Sequence, residues 1–252
     1  MNKLKKVLIA QPKPDGNKSP YFDLAAKYDL TLDFHPFTII EGIPAKEFRK
    51  QKIDIAAFSA VIFTSRNAID HFFRVCEELK LSVSQETKYF CITEAVALYL
   101  QKFILYRKRK VFYGADGTNK SLFDVISKHK EHENFLYPCS EAFDSGITNW
   151  LKENNCGFET PVLYKVISND IKEVIDRKYD VICLFTPGGV KSLLENIPNF
   201  NQNGTCLAAF GTNTSKALEE AGYSLEIMAP QPQTPSMVSA LEKYIQTRKS
   251  KK

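Results

Sequence analysis

The 252-residue chain has no apolar run near the ~18 to 20 residues that cross a membrane. Its start, Met1-Asn2-Lys3-Leu4-Lys5-Lys6, leads into only Val7-Leu8-Ile9-Ala10 before Gln11-Pro12, too short for a secretory signal. Neither secretion nor membrane insertion is expected. The six cysteines, at 76, 91, 139, 156, 183 and 206, include no C-x-x-C pair, which argues against a structural zinc site. Several lie in apolar runs, such as Ile182-Cys183-Leu184, where a thiol behaves as a small buried hydrophobe of a reducing compartment, so the expected location is cytoplasmic.

Familiar catalytic signatures are missing as well. There is no G-x-G-x-x-G, no phosphate-binding Walker loop, no H-E-x-x-H and no G-x-S-x-G. The four histidines, His35, His71, His129 and His132, are scattered, and the helical pattern around His71 reads it as a surface residue rather than a base. No metal or organic cofactor is expected. Charge of one sign is scarce: 34 basic against 29 acidic residues give +5, and most of the excess sits in Arg107-Lys108-Arg109-Lys110 and in 248–252. With no helix-turn-helix or RNA-binding motif beside them, these clusters read as a solvated loop and a frayed tail, and no nucleic-acid partner is expected. A polyanionic small molecule fits the charge.

What is present is material for a core: 44% hydrophobic residues, including 18 Phe and 11 Tyr, exclude a largely disordered chain. The length suits two lobes. Short apolar runs at 7–10, 60–63, 89–92, 111–113, 135–137, 162–167, 181–185, 206–210 and 225–228 alternate with helical patterns. Near-continuous apolar strands between helices indicate parallel sheets covered on both faces, hence an α/β fold.

Helix signals are clear at four places. Ile69, Phe72, Phe73, Cys76 and Leu79 form one stripe after Thr64 or Ser65 as cap, and Val190, Leu193, Leu194 and Ile197 form another, stopped by Pro198. Thr212 or Thr214 can cap a helix that ends at Gly222, and Thr234-Pro235 can open a last one. The strand-turn-helix around Thr64 recurs around Thr186, 122 residues on, and Thr93 with its helix recurs at Gly211, 118 residues on. Two equivalent lobes are expected. Segments 31–37 and 161–167 alternate apolar and polar residues and could pair as connectors, making the first lobe discontinuous.

Three turns between strand and helix are rich in hydroxyl groups or glycine: Thr64-Ser65-Arg66-Asn67, Thr186-Pro187-Gly188-Gly189 and Gly211-Thr212-Asn213-Thr214. Backbone N–H groups at helix starts bind anions, and ligands of open α/β sheets sit beyond the carboxyl ends of the strands. Any one turn serves equally well as a plain cap; three of them point to a cleft that holds carboxylates or phosphates.

The ordered set Val61-Ile62-Phe63-Thr64-Ser65-Arg66-Asn67-Ala68-Ile69, Pro161-Val162-Leu163-Tyr164, Leu184-Phe185-Thr186-Pro187-Gly188-Gly189-Val190 and Ala209-Phe210-Gly211-Thr212-Asn213-Thr214 resembles the uroporphyrinogen-III synthase family. The ending from Ala229-Pro230 to Ser236-Met237 does too, and Tyr137-Pro138-Cys139-Ser140 resembles its Bacteroidetes branch. The resemblance implies two flavodoxin-like (Rossmann-like) parallel-sheet lobes joined by a two-stranded β connector. The first lobe would comprise 1–33 with 168–252 and the second 38–162, with connectors at about 31–38 and 162–168.

It also implies a reaction: hydroxymethylbilane, a linear tetrapyrrole with eight carboxylates, loses water and closes to uroporphyrinogen III with ring D inverted, without a cofactor, in a monomer. Tyr164 matches the family tyrosine proposed to assist departure of the hydroxyl. Binding residues carried over are Thr64, Ser65, Arg66, Ser140, Thr186, Pro187, Gly188, Gly189, Gly211, Thr212 and Thr214. Gly188 stands where a serine is common, and Val96 where many members have threonine. The alternative is a bilobed binding or sensory protein for a polyanionic small molecule, without catalysis.

Overall fold

The computed structural model describes residues 4–16, 18–143 and 145–250; the N-terminal 1–3 and the basic 251–252 lie outside them. The chain divides into two compact units, unit 1 comprising 1–39 with 167–252 and unit 2 comprising 40–166.

Unit 1 begins with strand β1 (Lys6–Ile9), helix α1 (Pro20–Tyr28) and β2 (Thr31–Phe34), after which β3 (Thr38–Gly42) carries the chain into unit 2. There follow α2 (Ala45–Phe48), β4 (Ala60–Phe63), α3 (Arg66–Glu78), β5 (Lys88–Cys91), α4 (Glu94–Tyr99) and β6 (Val111–Tyr113). Unit 2 continues through α5 (Asn119–Ile126), β7 (Phe135–Leu136), β8 (Cys139–Ser140), α6 (Ser145–Glu153) and β9 (Phe158–Glu159). The chain returns in β10 (Val162–Ser168) and completes unit 1 with α7 (Lys172–Ile175), β11 (Val181–Leu184), α8 (Pro187–Asn196), β12 (Cys206–Phe210), α9 (Thr212–Glu220), β13 (Leu225–Ala229) and α10 (Met237–Ser250).

Each unit has a five-stranded parallel sheet, ordered β13-β12-β11-β1-β2 in unit 1 and β6-β5-β4-β7-β9 in unit 2. Counted along the chain, unit 1 has the flavodoxin order 2-1-3-4-5 and unit 2 the order 3-2-1-4-5 of a Rossmann half. The two are circular permutations: counting unit 1 from β11 and continuing from β13 to β1 also gives 3-2-1-4-5. β4 then corresponds to β11 and β5 to β12, the same two pairs that the sequence offsets of 122 and 118 single out.

Alternation along the central strands builds the cores, because successive side chains of a strand face opposite sides of its sheet. In β4, Val61 and Phe63 join one buried cluster with α3 and α4 residues, while Ala60 and Ile62 join another with α5 and α6 residues. In β11, Val181 and Cys183 face the α1 and α10 side, and Ile182 and Leu184 the α7, α8 and α9 side. Phe63, fully buried, meets Phe72 edge-on at 5.5 Å and stacks on Tyr89 at 6.2 Å. Burial of one such ring contributes ~1.5 to 3 kcal/mol.

Several sequence expectations need correction. Thr31–Phe34 is not a connector but the edge strand of the unit 1 sheet, parallel to β1 in the register Val7 to Leu32. A proline follows at Pro36, where the strand has ended, and the connector strand is β3 instead. The connector ladder is a mixed three-stranded sheet, β3-β10-β8, rather than two-stranded, because Cys139–Ser140 adds to β10 in parallel. The last helix is opened by Ser236, not by Thr234-Pro235: the Ser239 N–H donates to Ser236 Oγ at 3.1 Å and the Ser236 N–H to Ser239 Oγ at 3.1 Å. That helix runs to Ser250, so the tail read as frayed is helical at 248–250.

Candidate functional site

In unit 2 the strand order reverses between β4 and β7, the place where open α/β sheets hold ligands beyond their carboxyl ends. A cavity of about 220 Å³ lies there, lined by Thr64, Ser65, Tyr137, Cys139, Ser140 and Tyr164 among others. It is smaller than the ~300 to 1,000 Å³ of a drug-sized ligand site, with room for one ring or side group rather than a whole ligand.

Local chain chemistry puts each lining group in place. Ser65 is the N-cap of α3, its Oγ accepting from the Ala68 N–H at 3.1 Å. Thr64 precedes it at the end of β4, half-buried. Tyr164 stands on β10 opposite Ser140 of β8, with a register shift between Val162 and Tyr164. Such a bulge re-aims a side chain, and here the Tyr164 hydroxyl comes within 3.3 Å of Ser65 Oγ. Ser140 Oγ donates to the Ala142 carbonyl at 3.0 Å, tying down the loop beside it.

Tyr164 is only 8% exposed, and burial pushes its hydroxyl above the usual phenol range, with the Ser65 bond pulling the other way. It is therefore a protonated donor at neutral pH. Cys139, 3% exposed, is pushed up to about 12 by burial, which keeps it a thiol and a poor nucleophile.

The sequence reading missed His71 and Arg74. His71 is half-buried rather than a plain surface residue, and its ring stacks on Tyr164 with centroids 5.0 Å apart and planes at 20°. Arg74 Nε–H donates to His71 Nδ1 at 3.2 Å, and Arg74 Nη2 donates to the carbonyls of Ile43 at 2.8 Å and Leu163 at 3.3 Å. Burial and the neighbouring Arg74 lower the His71 pKa, so the neutral ring accepts at Nδ1. The available signal was helical spacing: 65, 71 and 74 fall along α3 and its cap. Only the strand opposite could show which face of that helix meets the tyrosine.

Gly42 completes the arrangement. A Cβ built on it would lie 2.9 Å from Arg74 Nη2 and 2.9 Å from His71 Nδ1, so only glycine admits both side chains unshifted.

Arg66 is exposed and lies over the Tyr99 ring at 5.2 Å, while Tyr99 donates to Asp70 at 2.9 Å; it does not line the cavity. Val96 is 8% exposed, its N–H donating to Thr93 Oγ1 at 3.3 Å, so the cap of α4 is supplied by Thr93.

Unit 1 carries the other two turns. Thr186 caps α8, its Oγ1 accepting from the Gly189 N–H at 3.1 Å, with Pro187 in the first turn and Gly188 half-buried beside it. Gly211, at φ 87 and ψ 148, is the N-cap of α9 and has no side chain with which to cap. Neither Thr212 nor Thr214 caps that helix: Thr212 is its exposed first residue, and Thr214, 2% exposed, faces the interior of the unit.

Among the described residues no group of three or more His, Cys, Asp or Glu side chains could hold a metal ion, and no helix is long and apolar enough to cross a membrane.

The family model described as uroporphyrinogen-III synthase HemD matches residues 23–239. Among solved structures, a uroporphyrinogen-III synthetase from Helicobacter pylori 26695 is 19% identical, with 97% of this chain and 100% of that chain covered at a TM-score of 0.61. A mutant uroporphyrinogen III synthase from the extremely thermophilic bacterium Thermus thermophilus is 18% identical, with 98% and 99% covered at a TM-score of 0.57. These two share the fold. A comparison with curated proteins gave no match. With the family's motifs in order along the chain and its model spanning both units, the chain belongs to the uroporphyrinogen-III synthase family of tetrapyrrole biosynthesis.

Proposed function

We propose that the chain is a cyclising hydro-lyase that closes hydroxymethylbilane to uroporphyrinogen III. The observation that carries the reading is the Tyr164 hydroxyl, held protonated in a cavity at the strand-order reversal of unit 2 and 3.3 Å from Ser65 Oγ.

Loss of the terminal hydroxyl needs a proton for the departing oxygen, while the C–O electron pair leaves with it as water. The pyrrole nitrogen lone pair supplies the replacement electrons, so no metal or redox group is called for. Tyr164 donates its one proton to the departing oxygen, and the Ser65 hydroxyl, which accepts from the Ala68 N–H, donates to the phenol oxygen and steadies the charge that develops there. The carbocation equivalent is then attacked by the substrate's far ring, which gives up one ring proton as it regains its aromaticity; that proton returns to the Tyr164 phenolate, so water is the only species lost. The protein's larger task is to fix which carbon attacks, an effect of orientation rather than of acid strength.

The substrate carboxylates call for donors, and the helix starts supply them. The turns at Thr64 and Ser65 in unit 2, and at Thr186, Gly188 and Thr212 in unit 1, open helices whose N-termini suit an anion, whereas Pro187 has no N–H and the Gly189 and Gly211 N–H groups are already given to Thr186 and to the Ala229 carbonyl. Ser140 adds a hydroxyl beside Tyr164. Thr214 acts through packing of α9, given its burial. A monomeric protein in the cytoplasm suits a water-soluble polycarboxylate of this kind.

Single-turnover kinetics of Tyr164→Phe test the role of the hydroxyl. The ring and its stack on His71 remain, so kcat is expected to fall ~10- to 100-fold with KM little changed, at the low end of general-acid effects. An unchanged kcat would remove Tyr164 from the chemistry.

A further inference from the structure

A second cavity lies at the opposite end of the unit 2 sheet from Thr64 and Ser65, beside the amino ends of β5 and β6, with a volume of about 450 Å³. This is within the ~300 to 1,000 Å³ that holds a small molecule. Its walls are aromatic and aliphatic: Phe73 of α3 and Phe103 stack face to face with centroids 4.7 Å apart, and Tyr89 stands at the back, 4% exposed. At the mouth Phe103 is 38% exposed and Leu105 78% exposed, apolar surface that the folded protein leaves in water.

The cations there are the first and last of the basic run 107–110, which the family function leaves without a role. They differ in how they are engaged. Lys110 is paired with Glu86 at 2.6 Å. Arg107 Nη2 donates to the neutral amide oxygen of Gln85 at 3.2 Å, and among the described residues no carboxylate forms an ion pair with it. A guanidinium offers five donors in a planar fork suited to a carboxylate; Arg107, whose charge also acts on the nearby Glu86 carboxylate, gives one of them to Gln85 and keeps others for an anion.

From this pairing we infer that the cavity beside β5 and β6 is a second ligand site, taking a small planar aromatic carboxylate with its ring against Phe103 and Leu105 and its carboxylate on Arg107. The aromatic face gives area and the guanidinium gives sign, so a neutral ligand of the same shape binds less well.

The test is a titration of the isotope-labelled full chain with 2-naphthoate, followed by amide NMR shifts. Saturable shifts are expected at 82–87 and 103–111, with those at 64–68 and 137–143 unmoved. The neutral isostere 2-naphthamide should bind about tenfold more weakly on the same unmodified protein, the loss of one charge-assisted hydrogen bond, and Arg107→Gln should reproduce that loss. No saturable shift in these segments at millimolar probe, shifts centred on Thr64 and Ser65 instead, or equal binding of the neutral isostere would each overturn the site. Because the isostere comparison needs no variant, a misfolded Arg107→Gln leaves the test intact.

Discussion

The imidazole of His71 lies almost flat against the phenol of Tyr164, with 5.0 Å between ring centroids and 20° between planes, and Arg74 holds the imidazole by its edge at Nδ1. The ring that carries the candidate proton donor is therefore fixed by α3 as well as by its own strand. Gly42 leaves the space in which this happens.

Gly42→Ala should displace the Arg74 guanidinium, since the added methyl would sit 2.9 Å from Nη2, and through His71 loosen Tyr164. Aromatic pairs of this kind contribute ~0.5 to 1.5 kcal/mol, so kcat should fall by about three- to tenfold with unfolding free energy changed by a similar small amount. His71→Phe, which keeps a flat ring over Tyr164, should recover most of the activity lost in His71→Ala. Steady-state kinetics on the three variants decide this; equal loss in His71→Phe and His71→Ala would mean that the stack is not what matters.

Stability should fall on mild acidification. His71 and His129 both have lowered pKa values, in each case chiefly through burial, with Arg74 adding to the effect on His71 and Lys88 on His129. The folded state binds these protons less readily than the unfolded chain. Their contribution is thus complete above the ordinary histidine value of ~6.5 and is lost as pH falls through it toward the folded values. Urea midpoints should drop between about pH 7 and 5.5, before carboxylates titrate, and His71→Phe should flatten part of that drop. A midpoint that stays level or rises over this range would contradict the burial of both rings.

Two caps can be compared across the units. Ser65→Ala and Thr186→Ala each remove a hydroxyl that accepts from the third residue of its helix, at 3.1 Å in both cases, and each should cost about 1 kcal/mol in denaturant unfolding. Ser65→Ala alone should also alter the environment of Tyr164, visible as a changed phenol titration, because only Ser65 sits 3.3 Å from that hydroxyl. Identical behaviour of the two variants would reduce Ser65 to a cap.

Much of this was legible in the sequence because parallel strands buried on both faces are written as short continuous apolar runs, such as Val181-Ile182-Cys183-Leu184, and because Thr or Ser before a helix stripe marks its start. Thr31–Phe34 misleads because its burial is incomplete: an edge strand alternates like an exposed ribbon, and Pro36 beside it reads as a break in either case. His71 is illegible for a different reason. Its role depends on a side chain 93 positions away across a bulged strand, and helical periodicity reports only which face is apolar, not what stands opposite. The capping role read into Thr212 and Thr214 fails because Gly211, in a backbone region open to glycine, begins the helix without a side-chain bond.

The glycines of the unit 1 turns should separate sharply. A Cβ on Gly188 would meet Thr38 Cγ2 at 3.6 Å, ordinary contact, so Gly188→Ser, which restores a residue common in the family, should fold with stability within about 1 kcal/mol of the parent. Gly211 has open space around it but φ of 87, so Gly211→Ala should cost ~1 to 3 kcal/mol through backbone strain alone. Thermal unfolding of the pair checks this; a harmless Gly211→Ala would contradict the positive-φ turn.

The most direct test of the assigned chemistry is the isomer ratio of the uroporphyrinogen formed when the pure full-length protein meets freshly made hydroxymethylbilane, with the products separated chromatographically. The expected result is predominantly the type III isomer, at a rate well above spontaneous closure and unchanged by EDTA or prolonged dialysis. Type I isomer alone, at the spontaneous rate, would contradict it and leave the fold as a binding protein.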